Sequence, residues 1–381
     1  MFKSSKIIII AVLVIIVALS FGVGFITGER NLPVKATGLD VVDQAWNYLL
    51  SDYVDQTKLD SENMTRAAIE GIVNTLNDPY TTYLTKSQLN EFLTGIQGKY
   101  AGIGAVVTSQ DEKIMIVNVF PGSPAEKAGL KSGDTILEIN SEIATGLNLD
   151  VAVGKIRGPA DTTVTLLILH QNETEPVTIE ITRANVELPS VYYKMQGDIA
   201  CIFLLQFTER TENELATIMK QLKEANPKGI VLDLRGNPGG LLDIAVQVAS
   251  NFIPKGIIVK IRSKDGSIET REAVSGLETT DLPMVALVNQ FSASGAEVLT
   301  GALQDHQRAL IAGNTTYGKG SVNMPIQLND GSGLYITIAR WLTPHDRLIE
   351  GQGIDPDVKL DLTWDAELQW AIDYLSGKSS Q

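Results

Sequence analysis

The chain opens on an unbroken apolar run: from Ile7 to Gly28, 22 residues carry no charge and are rich in Leu, Ile and Val, behind Lys3 and Lys6. As a helix such a run is about 33 Å long, enough to cross a ~30 Å hydrocarbon core. The lysines ahead of it favour a cytoplasmic terminus and place everything after residue 30 outside. Two fates fit: an uncleaved anchor, and a signal peptide cut near Val34-Lys-Ala36, a poor small-x-small site. The length of the run favours the anchor, and in either case the body works on the extracytoplasmic face of a membrane.

Past this segment (residues 1–36) the pattern changes four times. Residues 37–95 read as helices: Leu39, Val42, Trp46, Leu49 and Leu50 recur at helical spacing, as do Met64, Ala67, Ala68, Ile72 and Leu76. Asn77-Asp-Pro79 breaks the second helix, and Lys86–Leu93 offers a short third. The apolar face of this arm suits a homodimer contact or, more simply, packing on its own region. Residues 96–185 form a compact unit of β-branched runs (Lys113–Phe120, Thr135–Ile139, Thr162–Leu169 and Pro176–Thr182) with two small helices. One of these has Ser123 as N-cap, Pro124 at its first position and Glu126 to complete the cap.

Residues 186–360 alternate buried strands with helices: strands at Ile199–Phe207, Gly229–Leu234, Met284–Asn289 and Ala309–Ala312, helices at Glu212–Ala225, Leu241–Phe252 and Gly295–Gln304. This implies an α/β layer with parallel pairing. A β-hairpin follows (Val322–Leu328 and Leu334–Leu342, turning at Asn329-Asp-Gly-Ser-Gly333). Residues 361–381 hold one amphipathic helix, Trp364–Leu375, and a polar tail. The fold class is therefore α/β and multidomain, with a transmembrane helix, a helical arm, a β-rich unit and an α/β core carrying a hairpin.

Composition narrows the chemistry. The 381 residues are 44 % apolar and 20 % charged, which excludes a disordered chain. The net charge is −14, and residues 1–36 carry +3 of the opposite sign, so the body would repel a phosphate backbone; nucleic acid is excluded as a partner. The single cysteine, Cys201, lies in an apolar run and reads as a core thiol. His170, His306 and His345 have no zinc-ligand spacing, so no metal and no cofactor is expected.

Chemistry in open α/β sheets collects beyond the carboxyl ends of the strands, and two junctions there stand out. In Leu232-Asp-Leu-Arg-Gly-Asn-Pro-Gly-Gly-Leu241 the glycines bring bare amides to a helix start, which suits an oxyanion or merely a tight turn. In Ser292-Ala-Ser-Gly-Ala-Glu297, Ser294 and Glu297 form a capping-box pair, or Ser294 stands exposed on a sharp turn with the Gly295 amide beside it. No Ser-His-Asp arrangement is evident. Lys319, in Tyr317-Gly-Lys-Gly-Ser321, becomes a usable base if burial keeps it neutral. Gly313-x-x-x-x-Gly318-Lys319 matches a phosphate loop up to Gly320, where a hydroxyl should stand.

Tyr100-Ala-Gly-Ile-Gly-Ala105 followed by the 121–140 stretch resembles a PDZ domain, which implies that Gly102, Ile103, Gly104 and Ala105 receive a peptide's terminal carboxylate. The whole order (anchor, arm, PDZ unit, Asp-Leu-Arg-Gly-Asn-Pro-Gly-Gly, Ser-Ala-Ser-Gly-Ala-Glu, Tyr-Gly-Lys-Gly-Ser) resembles the carboxy-terminal processing peptidases, or tail-specific proteases, over residues 40–360. The resemblance implies Ser294 as nucleophile, Lys319 as general base, and the amides of Gly295, Gly239 and Gly240 as oxyanion hole, acting on proteins held by their C-termini. Where the family has a Gln to orient the base, this chain has Asn323. That departure also leaves room for a second reading, an inactive PDZ adaptor that binds C-termini.

Overall fold

The computed structural model describes residues 38–378, apart from 111, 121 and 172. Among these no helix is long and apolar enough to cross a membrane; the expected anchor at 7–28 lies outside the described residues. The chain divides into two units, residues 1–67 and 68–381. Helix α1 (Leu39–Asp52) belongs to the first, and α2 (Ser61–Asn74) runs across the boundary. Neither helix has a fully buried residue: of the apolar faces read from the sequence, Leu39, Val42, Leu49 and Ile72 are exposed, whereas Trp46, Met64 and Ala68 are half-buried.

Beyond α2 the second unit continues with β1 (Thr82–Leu84) and α3 (Lys86–Ile96). A capping box starts α3: Gln88 N–H donates to Thr85 Oγ1 and Thr85 N–H to Gln88 Oε1. Then come β2 (Lys99–Gly102), β3 (Ala105–Gln110), β4 (Lys113–Val119), the single turn α4 (Pro124–Lys127), β5 (Thr135–Ile139), β6 (Glu142–Ile143), α5 (Leu149–Ile156), β7 (Thr163–Leu169), β8 (Val177–Thr182) and β9 (Ala184–Glu187). Strands β3-β4-β5-β7-β8 form an antiparallel sheet with β6 on β5, and β2 pairs with β9 in a separate two-stranded sheet. Alternate residues (Ile114 and Ile116, Val164, Leu166 and Ile168) are fully buried, the period-2 pattern that the β-branched runs announce.

The remaining elements are β10 (Val191–Gln196), β11 (Ile199–Leu204), α6 (Thr211–Ala225), β12 (Gly229–Asp233), α7 (Leu242–Ser250), β13 (Ile257–Ser263), β14 (Ile268–Glu272), β15 (Met284–Val288), α8 (Gly295–Asp305), β16 (Leu310–Gly313), β17 (Ser321–Gln327), β18 (Gly333–Leu342), β19 (Val358–Lys359) and α9 (Trp364–Leu375). One sheet has the order β10-β11-β12-β15-β16-β19, parallel throughout except for β10. Every residue of β12 and β15 is buried, because α6, α7 and α8 cover one face and α9 the other. Cys201 is a core residue there, and burial pushes its thiol up to about 11. The expected hairpin is β17–β18. It is part of a second sheet, ordered β1-β18-β13-β14, that the sequence reading left unassembled.

Candidate active site

Strands β12, β15 and β16 end on one edge of the parallel sheet, and three loops meet there. The loop after β12 is fastened from beneath. Arg235, with a fully buried side chain, grips both oxygens of Asp233 (2.9 and 2.6 Å), Glu367 (2.8 Å) and the Trp364 carbonyl (2.6 Å), and its guanidinium lies 4.3 Å from the Trp364 ring centre. Asn237 donates to the Leu204 carbonyl and accepts the Gly239 N–H at 2.8 Å. Gly239 (φ 97°) touches the serine loop so closely that a Cβ there would lie 2.7 Å from Ala293 O, Gly295 N and Ser294 Cβ. A Cβ on Gly240 (φ 141°) would lie 2.1 Å from the Phe207 carbonyl. Both positions therefore require glycine.

This corrects one expectation. The Gly239 N–H is spent inside its own loop on Asn237 and does not face the cleft as a free donor, whereas the Gly240 N–H takes no part in that bond and lies 3.5 Å from the Cβ position of Gly295.

The loop after β15 carries Ser294. Ser292 Oγ donates to the Leu234 carbonyl, Ala293 N–H donates to Asn237 O, and Asn289 Oδ1 accepts from Gly236 N–H, so three hydrogen bonds tie the two loops together. Ser294 has φ 54° and ψ −114°, far from the extended backbone of an ordinary N-cap. A non-glycine residue there is strained, a condition that clusters at functional sites. The capping reading of Glu297 is half the truth. Its carboxylate accepts Ser294 N–H (2.8 Å) as a cap would, but also Thr316 Oγ1 (2.6 Å), Gly318 N–H (2.6 Å) and Lys319 N–H (2.9 Å). This side chain, with no exposed surface, staples the serine loop to the lysine loop. Burial raises its pKa above the ordinary carboxylate value, and the four donors pull the other way. The amides that a phosphate loop would turn to its ligand are thus taken by the chain's own carboxylate, which removes the nucleotide reading.

Ser294, Gly295, Lys319 and Asn323 line one cleft of about 590 Å³ together with Gly239 and Gly240, and α3 contributes Phe92 and Ile96 to its wall. Burial is the largest influence on Lys319 and lowers its pKa from the usual 10.5, with Glu350, Glu297 and Asp78 acting in the opposite sense. Trp341 Nε1 donates to the Lys319 carbonyl. Asn323 lies in the wall, but its amide is occupied: Nδ2 donates to Tyr80 O and Thr337 Oγ1, each at 3.0 Å, and Oδ1 accepts from Ser321 Oγ. None of the three histidines lines the cleft; His306 is held by the Ile257 carbonyl and His170 by Asp134. Among the described residues no cluster of side chains could hold a metal ion. A second groove, about 220 Å³, is lined by Gly102, Ile103, Gly104 and Ala105 with Phe120, Val153 and Ile156.

Two roles escaped the sequence reading. Glu297 was legible only as a cap and Arg235 was given no role, since Thr316, Gly318 and Lys319 for the one and Trp364 and Glu367 for the other lie far away in the chain.

Several known proteins are similar to this chain. Residues 198–360 match peptidase family S41, residues 93–169 the PDZ domain and residues 27–88 the N-terminal domain of the activating protease CtpB. A "probable CtpA-like serine protease" of Staphylococcus aureus (strain N315) is 40 % identical over 337 residues, covering 86 % of this chain and 67 % of the relative. The "carboxy-terminal processing protease CtpA" of Bacillus subtilis (strain 168) is 36 % identical over 347 residues, 91 % of this chain and 74 % of that one. Among solved structures, a photosystem II D1 C-terminal processing protease superposes with a TM-score of 0.55 at 29 % identity, over 85 % of this chain and 93 % of the other. The chain belongs to peptidase family S41, the carboxy-terminal processing serine proteases.

Proposed function

We propose that the protein is a membrane-anchored endopeptidase that cuts peptide bonds with Ser294 as nucleophile and Lys319 as general base. The observation that carries this reading is the meeting of the two residues in one cleft, on loops that Glu297 joins. A neutral lysine amine takes the Ser294 proton as Oγ attacks the carbonyl carbon, and the oxyanion that develops is received by the N–H groups of Gly295 and Gly240. The amine then returns its proton to the leaving nitrogen, and an acyl-enzyme remains. Water, deprotonated by the same amine, releases it. An ordinary lysine with a pKa near 10.4 is useless as a base at neutral pH; burial in the cleft is what makes the role feasible.

The groove at Gly102–Ala105 would seat the substrate's C-terminal residues as an added strand. The apolar run at 7–28 would hold the body on the extracytoplasmic side of the membrane.

The test is labelling by a fluorophosphonate alongside degradation of an unfolded protein, in wild type, Ser294→Ala and Lys319→Ala. Label and degradation are expected in wild type alone; equal degradation by all three would end the assignment.

A further inference from the structure

Lys319 Nζ lies over two aromatic rings, 5.4 Å from the centroid of Tyr80 and 5.5 Å from that of Tyr335. Tyr335 is built into β18, where it stands opposite Thr82 of β1. Tyr80 belongs to the loop ahead of β1, and that loop is fixed in three ways. Asp78 accepts the Tyr80 N–H at 3.1 Å and the Thr81 hydroxyl at 2.7 Å. Thr337 N–H donates to Thr81 Oγ1. Asn323 Nδ2 donates to the Tyr80 carbonyl. The residue expected to orient the base thus spends its amide on the backbone of an aromatic residue that covers it.

We propose that Tyr80 is a positioning residue for the reaction: with Tyr335 it clamps the Lys319 amine in a slot poor in water, and Asn323 acts on the base through Tyr80 instead of touching it. The inference rests on the Ser294–Lys319 reading above. An ammonium within about 6 Å of a ring face is attracted by the ring quadrupole, and a flexible four-carbon stem held between two rings loses rotamers that point elsewhere. The rings also exclude the water that would stabilise the charged amine. Attraction to the faces favours the ammonium and dehydration favours the neutral base; burial outweighs the opposing carboxylates Glu350, Glu297 and Asp78, so the Lys319 pKa is lowered. The charged groups around the slot are Glu297, Glu350 and Asp78, which favour the ammonium, and Arg340, which lies 3.9 Å from Glu350 and acts on Asp78 and Tyr80. Burial raises the phenols of both Tyr80 and Tyr335 above the usual tyrosine value.

The experiment uses the full chain and a fluorogenic peptide from pH 6 to 11. It compares Tyr80→Ala, Tyr80→Leu, Tyr80→Phe, Asn323→Ala and Lys319→Ala, each checked for thermal unfolding. Tyr80→Ala is expected to lower kcat by about tenfold to a hundredfold, part of the ~10²–10⁴ that a positioned base supplies. KM should change little and the acid limb of the profile should move to higher pH. Tyr80→Phe keeps the ring and should restore both; Asn323→Ala should give a smaller change of the same kind. Tyr80→Leu fills the space without a ring and serves if Tyr80→Ala does not fold. An unmoved limb in Tyr80→Ala, or an unchanged kcat in Tyr80→Leu should Tyr80→Ala not fold, with Lys319→Ala inactive, overturns the clamp and leaves the dyad standing. An active Lys319→Ala overturns the reading on which the clamp depends.

Discussion

Glu297→Gln is the smallest change that separates a staple from a helix cap. One carboxylate oxygen accepts Thr316 and Gly318, the other Ser294 and Lys319. An amide has one oxygen, so it satisfies one pair and turns its NH₂ against the N–H groups of the other. Two hydrogen bonds to a charged acceptor are lost, at about 1.5–3 kcal/mol each, and two donors are left facing a donor. Part of this is offset because an uncharged amide costs less to bury. The net expectation is about 3 kcal/mol of lost stability. The accompanying drift of the two loops matters more, since about 1 Å of misplacement at a reacting centre costs on the order of a hundredfold in rate. Urea unfolding followed by tryptophan fluorescence reads the first quantity, and kcat on a fluorogenic peptide the second. A cap alone would lose about 1 kcal/mol and leave catalysis intact. E297Q unfolding within ~0.5 kcal/mol of wild type at an unchanged kcat would refute the reasoning.

Other consequences can be measured as directly. Activity should rise with pH and level off below 10.5, because the base works when deprotonated and burial lowers its pKa; an acid-favoured profile would contradict this. The same burial makes the folded state bind the Lys319 proton less tightly than the unfolded chain does, so this group's contribution to stability grows as pH climbs through the lowered pKa towards 10.5. Lys319→Met should accordingly abolish cleavage yet raise Tm at neutral pH, corresponding to about 1 kcal/mol, and a lower Tm would count against a desolvated amine. Gly239→Ala places a Cβ 2.7 Å from Ser294 Cβ at φ 97° and should cost ~2 kcal/mol or more together with most of the fluorophosphonate labelling. Val153→Arg, which fills the groove beside Gly102–Ala105, should slow cleavage of a protein with a free apolar tail and spare one whose tail is blocked. Equal effects on both would remove the groove from substrate selection.

The sequence was legible where the physics is local. Unbroken apolar runs became the buried strands β12 and β15, and the alternating run at 163–169 became β7. Trp364–Leu375 was bounded correctly because its amphipathic spacing is regular. Strand β14 escaped because every one of its residues is exposed, so it has no burial pattern to show. At the site, the residue types around Ser294 and Lys319 spoke through motif and family resemblance. The partners did not. Nothing near Glu297 announces a hydrogen bond to Gly318, nothing near Tyr80 points to Lys319, and Asn323 looked like a shortened glutamine until its amide was found on the Tyr80 carbonyl. Such links join segments that only the finished fold brings together.

The grip of Arg235 on Glu367 and Trp364 imposes an order of events on biosynthesis. A chain leaving the ribosome exposes the Gly239–Gly240 loop more than a hundred residues before the helix that seals it from below. Until that helix docks, a guanidinium destined for the interior lacks half its partners, and burying it would cost several kcal/mol. The support beneath that loop is therefore complete only once the final helix is in place, and a copy lacking it leaves the Arg235 guanidinium without its Glu367 and Trp364 partners.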